Sequence, residues 1–333
     1  MEKINPCGVH ESWPVARWSA QAFTGVAKWL GAPLVCCAIP SLVLGADKPL
    51  PVQEVAAGVF VHQGVHQDAM PGNYGAIANV GFIVGAKCVA VIDTGGSFAQ
   101  GKALRTAVSR HTPLPVCYVI NTHVHPDHVY GNAAFIADKP EFIGHHNLAA
   151  SMRSRGGYYA TYLERTIGPD LARQSTLVPP SVSVKGIHQV ELGERKLIIQ
   201  AWPTSHTDND LTVLDETTAT LWTGDLVFRE RIPSLDGSLS GWLSTMESLA
   251  GIPARLVVPG HGPVSADWPA IMKPQQRYLQ QLLADVRAAI KAKRSIQQAT
   301  NEIGAADSSH WQLFNGYHRQ NVTAAFTELE WED

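Results

Sequence analysis

The sequence predicts a mixed α/β fold built on two sheets, and three stretches carry that prediction. An apolar, β-branched strand over residues 116–121 follows a helical pattern at 97–110 and an earlier strand at 87–92, the spacing of a βαβ unit. Residues 182–227 return to strands in VSVKGI, KLIIQAW, LTVLD and ATLWTG, a second β-rich half. Beyond residue 268 the pattern turns helical over 269–299 and 307–330, with apolar residues at helical spacing in YLQQLLADVRAAI.

Taken in order, the chain opens on what reads as a targeting segment rather than fold. Arg17 and Lys28 precede the apolar WLGAPLVCCAIPSLVLGA, and Ala46 closes it ahead of Asp47-Lys48-Pro49. Basic, apolar and small residues in that order mark a secretory signal, so residues 1–46 are expected to be a signal peptide with an extended n-region. Export to the periplasm follows. Pro33 and Pro40 disfavour a spanning helix, and an uncleaved leader is the one route to a membrane. Cys36 and Cys37 lack the small residues that precede a lipidated cysteine.

Residues 47–268 are expected to form the main domain, with residues 269–333 as helices packed on it. Between 52 and 92, runs such as VAAGVFVHQG and IANVGFIVG alternate with Gly-rich turns, as a meander of strands does. Ser97 is placed to cap the helix that follows. A second helix, rich in Arg and Tyr, is expected over 147–165; His145 and His146 before it read as capping or exposed residues rather than ligands. At 333 residues, 45% hydrophobic and 17% charged, the chain has ample material for a core. Its net charge of −3 gives no argument for nucleic acid or an anionic membrane as partner.

The chemistry concentrates at Thr122-His123-Val124-His125-Pro126-Asp127-His128, directly after the buried strand. His123 and His125 sit two apart, on one side of an extended segment, and His with Asp suits Zn²⁺ or Fe²⁺. Asp127 and His128 follow at a helix start and turn toward a second metal position. The alternative is a surface turn with chance histidines, which this density argues against. More ligands are needed, and PTSHTDNDLTV, LWTGDLVF and LVVPGHGP offer His206, Asp225 and His261, each in the composition of a loop at a strand end.

H-x-H-x-D-H followed by His206, Gly224-Asp225 and Gly260-His261-Gly262 resembles the metallo-β-lactamase superfamily, and Val91-Ile92-Asp93-Thr94-Gly95 matches its remaining early motif. The resemblance covers residues 54–265. The segments GVHQDAMPGNYGAIANVGFIVG, DLVFRERIPSLDGSLSGW and YHRQNVTAAFTELEWE are similar to the quinoprotein relay system zinc metallohydrolases, bacterial proteins associated with quinoprotein and cytochrome c systems. The resemblance implies a four-layer αββα sandwich with added C-terminal helices. It also implies two Zn²⁺ per chain, with iron as the alternative. His123, His125 and His206 would hold one ion, Asp127, His128 and His261 the other, and Asp225 would bridge. Asp93 would support the metal-binding loop through hydrogen bonds without ligating. HQDAMPGNYG would overhang the cleft, bringing Met70 and Tyr74 to a small-molecule substrate; a solvated turn is the other reading of that loop.

A metal pair about 3.5 Å apart shares an activated water and polarises a scissile carbonyl or ester oxygen. Asp127 would orient that water and pass a proton to the leaving group. Asp225 stands where the β-lactamases proper carry a thiol or a non-bridging residue; an Asp there is the pattern of glyoxalase-type thioesterases and lactonases, although Thr207-x-Asn209 is shared with some β-lactamases. The expected activity is hydrolysis of an ester, thioester, lactone or lactam. A mononuclear iron oxygenase of persulfide-dioxygenase type and a non-catalytic metal-bearing partner protein are the alternatives. A flavodiiron reductase would need Glu at His125.

Loss of the leader removes Cys7, Cys36 and Cys37 and leaves Cys88 and Cys117 near the starts of two parallel strands. Bridges across adjacent strands are strained, so two buried thiols are expected, with a disulfide as the alternative in an oxidising compartment.

Overall fold

A computed structural model describes residues 48–304 and 308–332, so the expected leader at 1–46 lies outside the described residues. The described chain begins with an antiparallel meander of β1 (Gln53–Ala56), β2 (Val59–His62), β3 (Val80–Val84) and β4 (Val89–Ile92). Helix α1 (Phe98–His111) carries the chain back, so that β5 (Val116–Ile120) lies parallel to β4. After the single turn α2 (Pro126–Val129), β6 (Glu141–His145) joins in parallel. Helices α3 (Leu148–Ile167) and α4 (Pro169–Gln174) precede β7 (Val182–Val184), which completes a seven-stranded sheet in the order β1 to β7.

The second sheet contains β8 (Ile187–Glu191), β9 (Lys196–Ala201), β10 (Leu211–Asp215), β11 (Thr220–Phe228) and β12 (Leu256–His261), ordered β12-β11-β10-β9-β8. Helix α5 (Leu239–Leu249) links β11 to a parallel β12. The chain then runs through α6 (Lys273–Lys291), α7 (Ile296–Glu302) and α8 (Phe314–Leu329). The segment VSVKGI, read from the sequence as part of the second half, is divided: Val182–Val184 pairs with β6 in the first sheet, and Gly186, at φ +89°, turns the chain into the second. A three-residue strand carries too little pattern to reveal its partner.

Period-two alternation explains the layering. Ile83, Ala90, Ile92 and Ile120 face Ile199, Val213, Trp222 and Val258 in the core between the sheets. Their neighbours Phe82, Val91 and Val119 pack outward on Leu104, Ala107 and Val108 of α1. On the far side, Leu221, Phe228 and Val257 meet Trp242 of α5, Leu279 and Leu282 of α6, and Val322 of α8. Strands apolar on both faces need cover on both, which gives the four layers α, β, β, α. The C-terminal helices extend the outer layer over the second sheet. Ser97 caps α1, its Oγ accepting from Gln100 N at 3.2 Å. His145 is buried rather than exposed: its Nδ1 accepts from Asn147 N at 3.1 Å, and burial, with His146 beside it, lowers it to about 4.

Two cross-links tie the frame. Arg195 grips Asp215 with two hydrogen bonds, 3.0 and 2.7 Å, and donates to the Val84 carbonyl of the other sheet at 2.8 Å. Both side chains are buried. The second is a disulfide between Cys88 and Cys117, which corrects the expectation of two free thiols. The physical reason is a bulge: Val89 pairs with Val116 and Ala90 with Tyr118, so Cys117 is an extra residue in β5. The bulge re-aims its side chain, and the Cα atoms stand 5.8 Å apart, within the disulfide range.

Two outcomes follow from these links. A non-reducing peptide map should contain one fragment joining Cys88 to Cys117, and reduction should lower the melting temperature, the chain-entropy model assigning a loop of this length about 3 to 4 kcal/mol. Asp215→Ala should cost about 3 to 5 kcal/mol in chemical denaturation, because it strands the Arg195 charge in the interior.

Candidate metal centre

Seven side chains meet where the strands of both sheets end. His123 and His125 follow β5, Asp127 and His128 lie in α2, His206 sits in the β9–β10 loop, Asp225 in β11, and His261 closes β12. Asp225 is thus inside a strand, not in the loop its Thr-Gly-Asp context suggested. The strand kinks there: Gly224 has φ +50°, a left-handed conformation suited to glycine, and the β11–β12 register shifts beside it. Gly260 is required by contact, since a Cβ there would lie 1.9 Å from Asp225 Oδ1.

The donor atoms form two groups, His123, His125, His206 and Asp225 in one, and Asp127, His128 and His261 in the other. His125 Nδ1 is 3.1 Å from His123 Nε2 and 3.0 Å from His206 Nε2, a tripod of nitrogens. A tetrahedral ion with bonds near 2.0–2.1 Å spaces its ligand atoms roughly 3.3 Å apart. His261 Nε2 stands 3.4 Å from Asp127 Oδ2. Asp225 reaches both groups: its Oδ2 is 3.4 Å from His206 Nε2 and 3.3 Å from His261 Nε2, while Oδ1 is 3.2 Å from His128 Nε2.

The opposite edge of each ring is tied to an acceptor. His206 Nδ1 donates to Ser234 O at 2.6 Å, His261 Nδ1 to Ile77 O at 2.8 Å, and His128 Nδ1 to Asp93 Oδ2 at 2.8 Å. His125 Nε2 donates to Asp236 Oδ2 at 2.9 Å, and His123 Nδ1 to Thr122 Oγ1 at 3.1 Å, which in turn donates to Asp93 at 2.7 Å. With the outer nitrogen carrying the proton, the inner lone pair faces the centre, the arrangement metal-ligating histidines require. His128 Nε2 and Asp225 Oδ1 are buried and, among the described residues, have no hydrogen-bond partner, although they face each other. The donor set therefore fits divalent ions of the zinc or iron type.

The electrostatics divide the rings. Burial lowers His206 to about 3 and His123 well below its ordinary value, so both are neutral donors. Burial opposes a charge on His128 too, but Asp225, Asp93 and Asp127 overrule it and raise that imidazole well above its usual range. Burial likewise works against the charged carboxylates, yet the surrounding histidines hold Asp127 and Asp225 low, Asp225 well below the ordinary value. These carboxylates call for positive charge.

The supporting groups were mostly illegible in the sequence. Asp93 was expected, and it accepts from Thr122 N at 2.8 Å and from His128 while standing at φ +53°. Asp236, Ser234 and Asn79 lie in segments quoted for the resemblance, but nothing in the sequence singled them out as supporting groups. Asn79 holds the end of β12, donating to Pro259 O and Gly262 O at 2.8 and 2.7 Å. Segment 233–240, which orients His125 and His206, is braced by α8: Asn321 bonds Leu235 N and Pro233 O, and Glu328 accepts from Leu239 N and Ser240 N at the head of α5. Arg155 of α3 also grips Asp236. The loop carrying Met70 and Tyr74 reaches the centre through Gly75 and Ile77, which line a small hollow with Asp127 and Tyr162; Met70 is exposed and Tyr74 half-buried.

Two packed sheets whose strand ends gather five histidines and two carboxylates define a metallohydrolase frame. The chain belongs to the metallo-β-lactamase superfamily, whose model matches residues 74–261. Its fold is similar to a metallo-β-lactamase from Pontibacter korlensis, at 20% identity and TM-score 0.56, over 69% of this chain and 99% of that one. The metallo-β-lactamase FIM-1 from Pseudomonas aeruginosa, in its mono-zinc form, aligns at 18% identity and TM-score 0.55, over 71% and 97% of the two chains. The inverting sec-alkylsulfatase Pisa1 from Pseudomonas sp. aligns at 16% identity and TM-score 0.59, over 84% of this chain and 50% of that one.

Asp236→Asn should leave the fold intact and weaken metal binding by about 10- to 100-fold, because the amide no longer charges the bond that orients His125. Chelator competition measures it.

Proposed function

We propose that the chain is a dinuclear zinc hydrolase. The observation that carries this reading is the Asp225 carboxylate, whose oxygens lie 3.2 to 3.4 Å from His128, His206 and His261 and so are shared between the two donor groups. His123, His125 and His206 would hold one ion and Asp127, His128 and His261 the other. Bound there, the ions would supply an activated water and polarise the scissile bond. Asp127, the carboxylate of this set with the more exposed side chain, 14% against 4% for Asp225, would take the water's proton and deliver it to the leaving group. Asp93 and Asp236 hold His128 and His125 in the tautomers that bind metal. A group that positions a proton in this way leaves no need for a side-chain nucleophile.

The substrate class we assign is a small ester, thioester, lactone or lactam, met at the rim by the loop carrying Met70 and Tyr74. Kinship with the quinoprotein relay system metallohydrolases, export through residues 1–46 and service to a periplasmic quinoprotein or cytochrome c system belong to the same proposal, on the segments that resemble that group. A mononuclear iron oxygenase uses the same donor letters and is the competing outcome of the test.

Protein expressed with export should carry two zinc ions per chain by elemental mass spectrometry and hydrolyse at least one member of an ester, thioester, lactone and lactam panel. Chelation should abolish turnover and zinc restore it. Asp225→Ala should lose about one ion and at least about 100-fold in activity, more than the loss of a supporting group costs. One iron per chain with oxygen uptake, or hydrolysis indifferent to chelation, would overturn the reading.

A further inference from the structure

A second cavity lies apart from the metal centre. It is an open cleft of about 780 Å³, and none of the seven donor residues lines it. Sites for small molecules fall in that size range. Three pieces of chain supply its walls: residues 228–230 at the end of β11, residues 266–271 with the first turns of α6, and residues 310–311 before α8. Only the first piece lies within residues 74–261, so most of the wall is made by chain beyond the family match. Phe228 also borders the centre, its ring stacked on His261 with centroids 5.1 Å apart.

The cleft is lined by two fixed indoles. Trp268 is half-buried, and its Nε1 donates to Ile252 O at 2.9 Å. Trp311 is buried and stands edge-on to Tyr278, centroids 6.0 Å apart. Since both are already held by the protein, a flat ring that packs on them orders little that was free. The charge of the lining is balanced, with Arg229 and Arg277 against Glu230 and Asp267. Arg229 Nη1 donates to two neutral carbonyls, Pro263 O at 2.6 Å and Val264 O at 3.2 Å, while Glu230 Oε2 lies 3.2 Å from His66. Arg277 and Asp267 are exposed, and among the described residues neither side chain makes an ion pair or a hydrogen bond. Opposite charges thus share one cleft without pairing. A ligand of a single sign would meet a like charge beside its partner, whereas a ligand carrying both signs satisfies both.

We propose that this cleft is a second binding site and takes a small aromatic zwitterion. Its ring would lie against Trp268 and Trp311, its carboxylate toward Arg277 and its ammonium toward Asp267. The planar guanidinium suits a carboxylate, and stacking on an indole selects for a flat ring. A free aromatic amino acid and a short peptide with one aromatic side chain share this chemistry, and a cleft of this volume has room for either. The site contains none of the metal-centre donors, so it does not depend on the hydrolase reading.

Calorimetry on the full metal-loaded chain tests this with tryptophan and the dipeptide tryptophyl-glycine. At least one should bind with a Kd of about 0.5 mM or tighter, the affinity usual for a ligand of about 15 non-hydrogen atoms, and the tighter of the two identifies the source. Leucine, which lacks the ring, and N-acetyltryptophanamide, which lacks both charges, should bind at least about fivefold more weakly. Arg277→Gln and Asp267→Asn should each weaken binding about two- to fivefold, and Trp268→Leu about fivefold. Circular dichroism checks the fold, and the two exposed positions serve if Trp268→Leu does not fold. Binding should persist in the chelator-treated chain, which separates the cleft from an amino acid coordinated at the centre. Binding that is absent, lost on chelation, or unchanged in both Arg277→Gln and Asp267→Asn overturns the proposal. Leucine or N-acetyltryptophanamide binding as tightly as tryptophan and its dipeptide overturns it too.

Discussion

Five imidazoles and two carboxylates, all but His125 and Asp127 buried, meet here within a few ångströms, and the rest of the structure answers to the cost of that burial. Polar groups taken out of water need partners in every direction. The outward-facing nitrogen of each ring finds one in the protein, whether Asp93, Thr122, Asp236, Ser234 O or Ile77 O. The inward-facing atoms turn to one another, and two of them, His128 Nε2 and Asp225 Oδ1, have no hydrogen-bond partner among the described residues. A protein that satisfies one edge of every ring and leaves the other toward two donor groups has the arrangement of a site that could hold cations.

That requirement explains features that look unrelated. Asp93 occupies a left-handed conformation at the end of β4, and its carboxylate serves both Thr122 and His128. The strained backbone is held by those bonds, which are also what set His128. Gly260 leaves no Cβ in the path of Asp225, and Gly224 lets β11 approach Thr122, whose side chain a Cβ there would meet at 2.6 Å. On the other flank, α8 braces segment 233–240 through Asn321 and Glu328, and that segment holds His206 and His125. The C-terminal helices are therefore coupled to the centre mechanically, although they contribute none of its donor atoms.

Function follows from charge placed asymmetrically around the centre. Toward His125 the supporting group is a carboxylate, Asp236, itself paired with Arg155. Toward His261 the supporting group is the Ile77 carbonyl, with the Arg231 guanidinium 3.3 Å from the same ring nitrogen and bonded to Tyr317. The first arrangement secures a ligand. The second sets a buried positive charge where it acts on Asp127 of the other donor group.

Much of this was written in the chain locally. The His/Asp cluster after an apolar strand, the βαβ spacing, the Ser97 cap and the two-faced apolar strands are short-range patterns, and each appears where its residues predicted. Asp225 was legible as a residue but not as a strand residue, because Thr-Gly-Asp is turn chemistry and only the packing of β12 against the Gly224 kink keeps it in β11. The Cys88–Cys117 bridge depended on a bulge, and a one-residue register shift has no signature in a single strand. Asp236, Arg155, Arg231, Tyr162 and Tyr317 lie scattered over α3, the 229–238 segment and α8, and an isolated Arg or Tyr in sequence is indistinguishable from a solvated one. Sequence by itself determined which residues could bind metal, since ligand chemistry belongs to residue types at close spacing. Tertiary structure alone decided which tautomer each ring presents and which charges are left unpaired, because both depend on neighbours brought from as far as 184 residues away.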